Sequence, residues 1–236
     1  MKHLPPFPDK TSAIVKALNI AREQGECVLV GQMPQQMRLV CFDMDATLIR
    51  METINEIAAS AGLGGEMKGL TLRAMQGQED FRSNFIQRVK MLRGVPVSLL
   101  EKIASNLPYA NGLASLMKRL DDAGIGTAVI TGNFNIFGKQ LKKDFGFDHI
   151  FTTTPEIENG ILTGNICGEV IDAQAKADIL TSLCSQMGIP LSSTIAVGDG
   201  ANDIPLLATA GAAIAYNAIT AKEGIDFLSS SFCTIL

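Results

Sequence analysis

Residues Leu39 to Leu48, LVCFDMDATL, constrain the fold of this chain more than any other stretch. The mostly apolar run Leu39 to Phe42 leads straight into Asp43-Met44-Asp45, the pattern of a buried strand that ends in an acidic pair. While the chain is still extended, residues two apart point to the same side. Asp43 and Asp45 are therefore expected to face one site, with Met44 turned away. Two carboxylates held together need a cation or a shared proton to compensate. The position fits chemistry as well, because an open α/β sheet carries its sites at the carboxyl ends of its strands. The competing reading is an acidic turn that caps the following helix.

The rest of the chain sets bounds on that site. A length of 236 residues suits one large domain, or a core with a smaller insertion. A net charge of −4 gives no basic surface for nucleic acid. The cysteines at 27, 41, 167, 184 and 233 are scattered and lack CxxC spacing, which points to a reducing compartment. His3 and His149, the only histidines, are too far apart in sequence to suggest a zinc site. The amino terminus lacks an apolar h-region, so no signal peptide is expected. The uncharged run from Ile204 to Ala221 is broken by Pro205, Gly211 and Asn217, and reads as helix, turn and buried strand rather than a membrane span. A soluble, cytoplasmic protein without membrane or nucleic-acid partners is expected; oligomeric state is left open.

Residues 1–37 read as a proline-rich arm and a helix from about Ser12 to Gln24, packing on the core. From about Arg50 to Asn106 the spacing is helical throughout, as at Ile54, Ile57, Ala58 and Ala61, and again at Phe81, Phe85 and Val89. A helical block inserted behind an acidic strand end suggests a cap over the site; a helical layer of the main domain is the other reading. After Tyr109 strands and helices alternate, which argues for a doubly wound parallel sheet. Asn159-Gly160 marks a hairpin turn. The expected division is a core of 38–50 and 109–236 with a cap of 51–108.

Three strands then end in polar clusters: DMDAT, Thr131-Gly132-Asn133, and GDGAND from Gly198 to Asp203. Their carboxyl ends share one edge of a parallel sheet, so the clusters can converge. Asp43, Asp45, Asp199 and Asp203 would bring an excess of negative charge, which suits a hard cation such as Mg²⁺. Lys176, read as lying just before a helix, could supply a second positive charge. Thr131 and nearby backbone N–H groups would suit phosphate oxygens.

These four parts resemble the haloacid dehalogenase superfamily of phosphohydrolases, and within it the phosphoserine phosphatases. The resemblance runs from about Leu39 through Asn217 and includes Glu52 to Ala58, Ala74-Met75-Gln76-Gly77, Arg88-Val89 and Asp172 to Asp178. It implies a Rossmann-like core with an inserted cap and Mg²⁺-dependent hydrolysis of a small phosphomonoester, O-phospho-L-serine. Asp43 would be the nucleophile, and Asp45 the general acid and then base. Asp43, Asp199 and the Asp45 backbone carbonyl would hold Mg²⁺, with Asp203 supporting them from behind. Thr131, Gly132, Lys176 and Asn202 would bind the phosphoryl group. Glu52 would meet the substrate ammonium and Arg88 its carboxylate, with Met75 and Phe81 excluding water.

Each binding residue has a plainer reading. Glu52 could simply favour a helix start, Arg88 could belong to a solvated basic face, Lys176 could be an exposed helix lysine, Thr131 a cap, and Met75 and Phe81 ordinary core. Two positions depart from the family: Asn133 stands where glycine is usual, and Ala46 where serine follows the acidic pair. Glycine at the first position would permit positive φ, so Asn133 is expected either to adopt it or to reshape the pocket. The arm at 1–37 is too short for the regulatory domain common in the family. Action on another phosphomonoester, phosphoryl transfer to an alcohol, and a catalytically silent binding protein are the alternatives.

Overall fold

The protein is seen here as a computed structural model that describes residues 1–3, 9–65, 67, 70 and 81–225. It opens with strand β1 (Lys2–His3), helix α1 (Lys10–Gln24) and strand β2 (Val28–Val30). Strand β3 (Leu39–Phe42) follows, then helices α2 (Thr53–Ser60), α3 (Phe81–Met91) and α4 (Val97–Ala104). The alternating part comprises α5 (Leu113–Asp122), β4 (Gly126–Phe134), α6 (Asn135–Phe145), β5 (His149–Glu158) and β6 (Ile161–Cys167). It finishes with α7 (Ala173–Met187), β7 (Thr194–Gly198), α8 (Ile204–Thr209) and β8 (Ala212–Ala215).

The strands form one sheet in the order β1-β2-β8-β7-β3-β4-β5-β6. The central run from β8 to β5 is parallel, as the alternation predicts, while β2 pairs antiparallel with β8 and β6 antiparallel with β5. The strand β3 shows why its sequence is apolar on both faces. Val40 and Phe42 join a layer with Leu116 and Leu120 of α5 and Phe137 and Leu141 of α6. Leu39 and Cys41 face the opposite layer, made of Ile14 and Leu18 of α1, Leu180 and Leu183 of α7 and Leu206 of α8. A strand covered on both sides has no solvent face to mark with polar residues.

Local chemistry sets the ends of these elements. Asp9 accepts the Ser12 N–H at 2.8 Å to cap α1, and Gly25 closes it at φ 64°. The ammonium of Lys10 donates to the carbonyls of Ala208 (2.9 Å) and Ala210, tying α1 to the end of α8. The hairpin turn lies where it was expected: Asn159 and Gly160 both have positive φ, at 49° and 77°, between paired Glu158 and Ile161. The helices between β3 and β4 lean on that hairpin. Gly94 N–H donates to the Leu162 carbonyl at 2.8 Å, and Leu162 N–H returns a bond to Val95 at 2.9 Å. Among the described residues no helix is long and apolar enough to cross a membrane.

Helix α6 sits unusually close to β5. A Cβ on Gly138 would lie 2.7 Å from both Ile150 Cγ2 and Thr152 Cγ2. Alanine gains up to about 1 kcal/mol over glycine in a helix interior, but forcing a methyl into a packed core costs about 1–3 kcal/mol. Gly138→Ala should therefore lower the urea midpoint. An unchanged or raised midpoint would show that the sheet yields freely there.

Candidate active site

The site grows out of the parallel register. Phe42 lies opposite Val129 of β4 on one side and Val197 of β7 on the other, so the three polar clusters leave the sheet at one edge. The Asp43 N–H continues the ladder by donating to the Val197 carbonyl at 3.0 Å. Asp43 and Asp45 line the same cavity, while Met44 is fully buried in the core behind them. The Met44 carbonyl then accepts the Thr47, Leu48 and Ile49 N–H groups, which closes the turn. Ala46 takes left-handed backbone at φ 52°. Asn133 has no positive φ; it lies where the β4–β5 register shifts between Ile130 and Phe134, so the chain accommodates it in a strand irregularity rather than in left-handed backbone.

Lys176 is the fixed point. It lies in the first turn of α7, three residues into the helix rather than ahead of it, behind the Asp172 cap that accepts the Ala175 N–H at 2.9 Å. Its side chain is 1% exposed, and the ammonium bonds Asp43 Oδ1 at 2.7 Å and Asp203 Oδ1 at 2.6 Å. Burial alone would depress the ammonium pKa, but the carboxylates of Asp203 and Asp43 outweigh it and hold it above its ordinary value. An exposed helix lysine is thus excluded. Asp203 Oδ2 accepts the N–H groups of Asp199 and Gly200, both at 3.1 Å.

Asp45 is held from two sides. Thr53 donates to its Oδ2 from both the backbone N–H (3.0 Å) and the hydroxyl (2.9 Å). The Asn133 amide donates to both carboxylate oxygens at 2.9 Å. Burial, then the charges of Glu52 and Asp43, push the Asp45 pKa well up against the Thr53 bonds. Asp43 is raised to about 6 by burial and by the Asp203 charge, with Lys176 opposing. Asp199 is also pushed well up, by burial and then by Asp203 and Asp43.

Carboxylate oxygens of Asp43, Asp199 and Asp203 come within 4.8 Å of one another. This donor set suits a hard cation. Asp203 is already committed to Lys176 and two backbone N–H groups. Asp199 makes only the longer bonds from Thr47 Oγ1 (3.4 Å) and Asn217 Nδ2 (3.2 Å). Asp43 and Asp199 are thus the carboxylates best able to turn toward an ion.

The cavity has a volume of about 130 Å³. Thr131, Gly132, Asn133, Asp199 and Asn202 line it from the sheet edge, and Glu52, Ile54, Phe85 and Arg88 from the helical insertion. Thr131 is 3% exposed and three residues short of the position that caps α6, so it is not a cap. A Cβ on Gly132 would lie 2.8 Å from the Ile171 carbonyl oxygen, which leaves no room for a side chain. Glu52 begins α2, but its carboxylate makes no capping bond and opens on the cavity. The protein packed around it raises its pKa, against the pull of the Arg88 guanidinium. Arg88 is half-buried, bonds Asn55 Oδ1 through Nη2 at 3.1 Å, and has a buried Nε with no hydrogen-bond partner. It is therefore not part of a solvated face. Met75 lies outside the described residues; Phe81 starts α3, and the aromatic wall is Phe85, one turn further on, packed edge-to-face on Phe134 at 6.4 Å.

Sequence reasoning did not assign Thr47, Thr53 or Asn217, and treated Asn133 only as an intruder. All three fell inside the stretch that carries the family resemblance, Thr47 within DMDAT itself, but no periodicity marks a hydrogen-bond donor to a carboxylate.

Crowded carboxylates carry a testable signature. Asp43 binds its proton more tightly folded (about 6) than at its ordinary 3.8. The stability it contributes is complete below about pH 4 and lost as pH rises through about 6, on the order of 3 kcal/mol. Metal-free protein should therefore lose thermal stability across that window, and Asp199→Asn should flatten the loss. Mg²⁺ should raise Tm more at about pH 7.5 than at about pH 5. Equal Mg²⁺ shifts at both pH values would contradict an ion seated among these carboxylates.

Comparison with known proteins agrees with this geometry. The haloacid dehalogenase-like hydrolase family matches residues 40–208. A phosphoserine phosphatase of Archaeoglobus fulgidus is 44% identical over 184 residues, which is 78% of this chain and 54% of that protein. One from Methanocaldococcus jannaschii is 38% identical over 184 residues, covering 78% of this chain and 87% of its own. The chain spans about half the length of several such relatives, including that of Vibrio cholerae at 55%. A substrate-bound phosphoserine phosphatase structure superposes with a TM-score of 0.70 at 37% identity, over 75% of this chain and 84% of that one. A phospho-aspartyl intermediate analogue of phosphoserine phosphatase gives 0.69 at 38% identity, with the same coverage of both chains. With the family matched across most of its length and the polar clusters gathered at one sheet edge, this chain belongs to the haloacid dehalogenase-like hydrolases.

Proposed function

We propose that the chain is an Mg²⁺-dependent phosphatase that hydrolyses O-phospho-L-serine to L-serine and phosphate through an aspartyl-phosphate on Asp43. The observation that carries this reading is the two-sided cavity. Asp43, backed by the buried Lys176 ammonium, and Asp45 line it from the sheet edge; a carboxylate (Glu52) and a guanidinium whose Nε is unsatisfied among the described residues (Arg88) line it from the helical insertion. A phosphate ester of an amino acid is complementary to both sides. The names of the relatives at 38–44% identity support the same substrate.

In the first step an Asp43 oxygen attacks phosphorus and the bond to the serine oxygen breaks. Asp45, favoured in its protonated form by its surroundings, gives that oxygen its proton. In the second step Asp45, now ionised, takes a proton from water as the water oxygen attacks phosphorus, and Asp43 is released. Lys176, Thr131, the Gly132 N–H and Asn202 hold the phosphoryl oxygens as charge moves onto them. Asp43, Asp199 and the Asp45 carbonyl would hold Mg²⁺, with Asp203 behind them, and the ion would neutralise the charge that gathers there. The Arg88 fork would take the substrate carboxylate and Glu52 the ammonium. The helices of 51–108 serve as the cap on a core of 38–50 and 109–236, with 1–37 packed against that core, and Phe85 screens the site from water. An enzyme of serine biosynthesis in the cytoplasm is the matching cellular role.

Phosphate release from O-phospho-L-serine should require Mg²⁺, exceed release from esters lacking the amino-acid end, and fall at least about 1,000-fold in Asp43→Asn. Release by that variant at the wild-type rate would refute the covalent reading, and turnover only on other esters would refute the substrate. Arg88→Lys, which keeps the charge but loses the fork, should raise KM about tenfold with a smaller change in kcat. An unchanged KM would remove Arg88 from the binding site.

A further inference from the structure

Asn133 breaks the family pattern at the position nearest the acid, and its contacts assign it a role. Its amide is not free to rotate. Asn133 Oδ1 accepts the Phe134 N–H at 2.7 Å, which fixes the oxygen toward the backbone and turns the Nδ2 group outward. Nδ2 then meets Asp45 Oδ1 and Oδ2, each at 2.9 Å. The residue is 6% exposed and sits on β4 in the register shift between the fully buried Ile130 and Phe134, so the amide is anchored on both sides by buried strand residues. Thr53, on the opposite side, bonds only Oδ2, and it belongs to the helical insertion. Thr53 alone would leave the carboxylate free to swing about Oδ2. The pair defines its plane.

We infer that Asn133 is a positioning residue that aims the Asp45 carboxyl at the leaving-group oxygen, doing from the core side what a glycine there cannot. This rests on the proposed role of Asp45. The step it serves is proton transfer: as the Asp43–phosphorus bond forms and the phosphorus–oxygen bond breaks, the departing alkoxide's electron pair takes the Asp45 proton. A serine alkoxide cannot leave without that proton. A nitrophenolate can leave as the anion, so in this first step an aryl phosphate relies far less on how Asp45 is aimed; the second step, in which Asp45 takes a proton from water, is common to both esters. Asn133 therefore sets how strongly the enzyme favours poor leaving groups.

The test compares O-phospho-L-serine with p-nitrophenyl phosphate in wild type, Asn133→Ala and Asn133→Ser. Both variants remove the Nδ2 donor toward Asp45 without adding a charge beside it, and serine keeps a polar side chain at the position, so the pair separates aiming from loss of fold. Circular dichroism and Tm record folding for both. The ratio of kcat/KM on phosphoserine to kcat/KM on the aryl ester, which reports leaving-group departure rather than the hydrolysis step common to both, should drop about tenfold in both variants, a fraction of the 100-fold or more that general acid catalysis supplies. An unchanged ratio, or equal losses on both esters from folded variants, would overturn the inference while leaving the hydrolytic reading intact. A wild type inactive on both esters would overturn the hydrolytic reading and this inference with it.

Discussion

The ammonium of Lys176, enclosed between Asp43 and Asp203, is the interaction on which the site depends. It joins three parts of the chain that no local contact would bring together: the end of β3, the first turn of α7 and the segment after β7. Each of the three side chains is nearly solvent-free, so each has given up hydration that only its partners replace. Removing the lysine would leave two buried carboxylates facing each other, the kind of change that costs about 3–5 kcal/mol. The parallel register makes the arrangement possible, because it brings Asp43 beside the strand that leads into Asp199 and Asp203.

Two cations are nevertheless too few. Lys176 neutralises part of the charge of Asp43 and Asp203, and Arg88 draws on Glu52, but Asp45, Asp199 and Glu52 are all still pushed toward their neutral forms. This imbalance has a chemical use. A carboxyl group pushed toward its neutral form is suited to donating a proton, and a residual negative cluster is suited to a divalent ion. The sheet edge thus tolerates an electrostatic conflict that the two apolar layers on its faces are large enough to sustain.

The backbone frame was legible in the sequence for a simple reason. The apolar runs of β3, β4 and β7 end abruptly in polar clusters, and strand ends in a parallel sheet share an edge, so Asp43, Thr131 and Asp199 could be brought together without coordinates. The short strand Val28–Val30 was harder to read, because three residues carry too little periodicity, and its antiparallel pairing with β8 turns an otherwise parallel sheet into a mixed one at that edge. The partners of the acidic groups were illegible. Thr53 and Asn133 reach Asp45 from 8 and 88 residues away, Asn217 reaches Asp199 from 18, and hydrogen bonds across such separations leave no pattern in spacing. The resemblance marked Asn133 as a departure that would adopt positive φ or reshape the pocket; the backbone there has no positive φ, and the residue's contacts with Asp45 lie in its side chain.

The strain sits instead at Ala46, the other departure. A left-handed residue with a Cβ costs about 1–2 kcal/mol, and alanine brings no side-chain hydrogen bond to offset it. The turn around it explains why the conformation holds. The Ala46 N–H donates to the Met51 carbonyl at 3.1 Å, and its carbonyl accepts the Ala218 N–H at 2.5 Å. One peptide unit ahead of the helical insertion is thereby fastened to its first residues, and the next to the loop that begins with Asn217, the partner of Asp199. Relaxing Ala46 to a right-handed conformation would break both bonds and turn Asp45 away from Thr53. The cost at a single residue is thus set against the geometry of three: Asp45, Asp199, and Thr53 at the start of α2, which bonds Asp45.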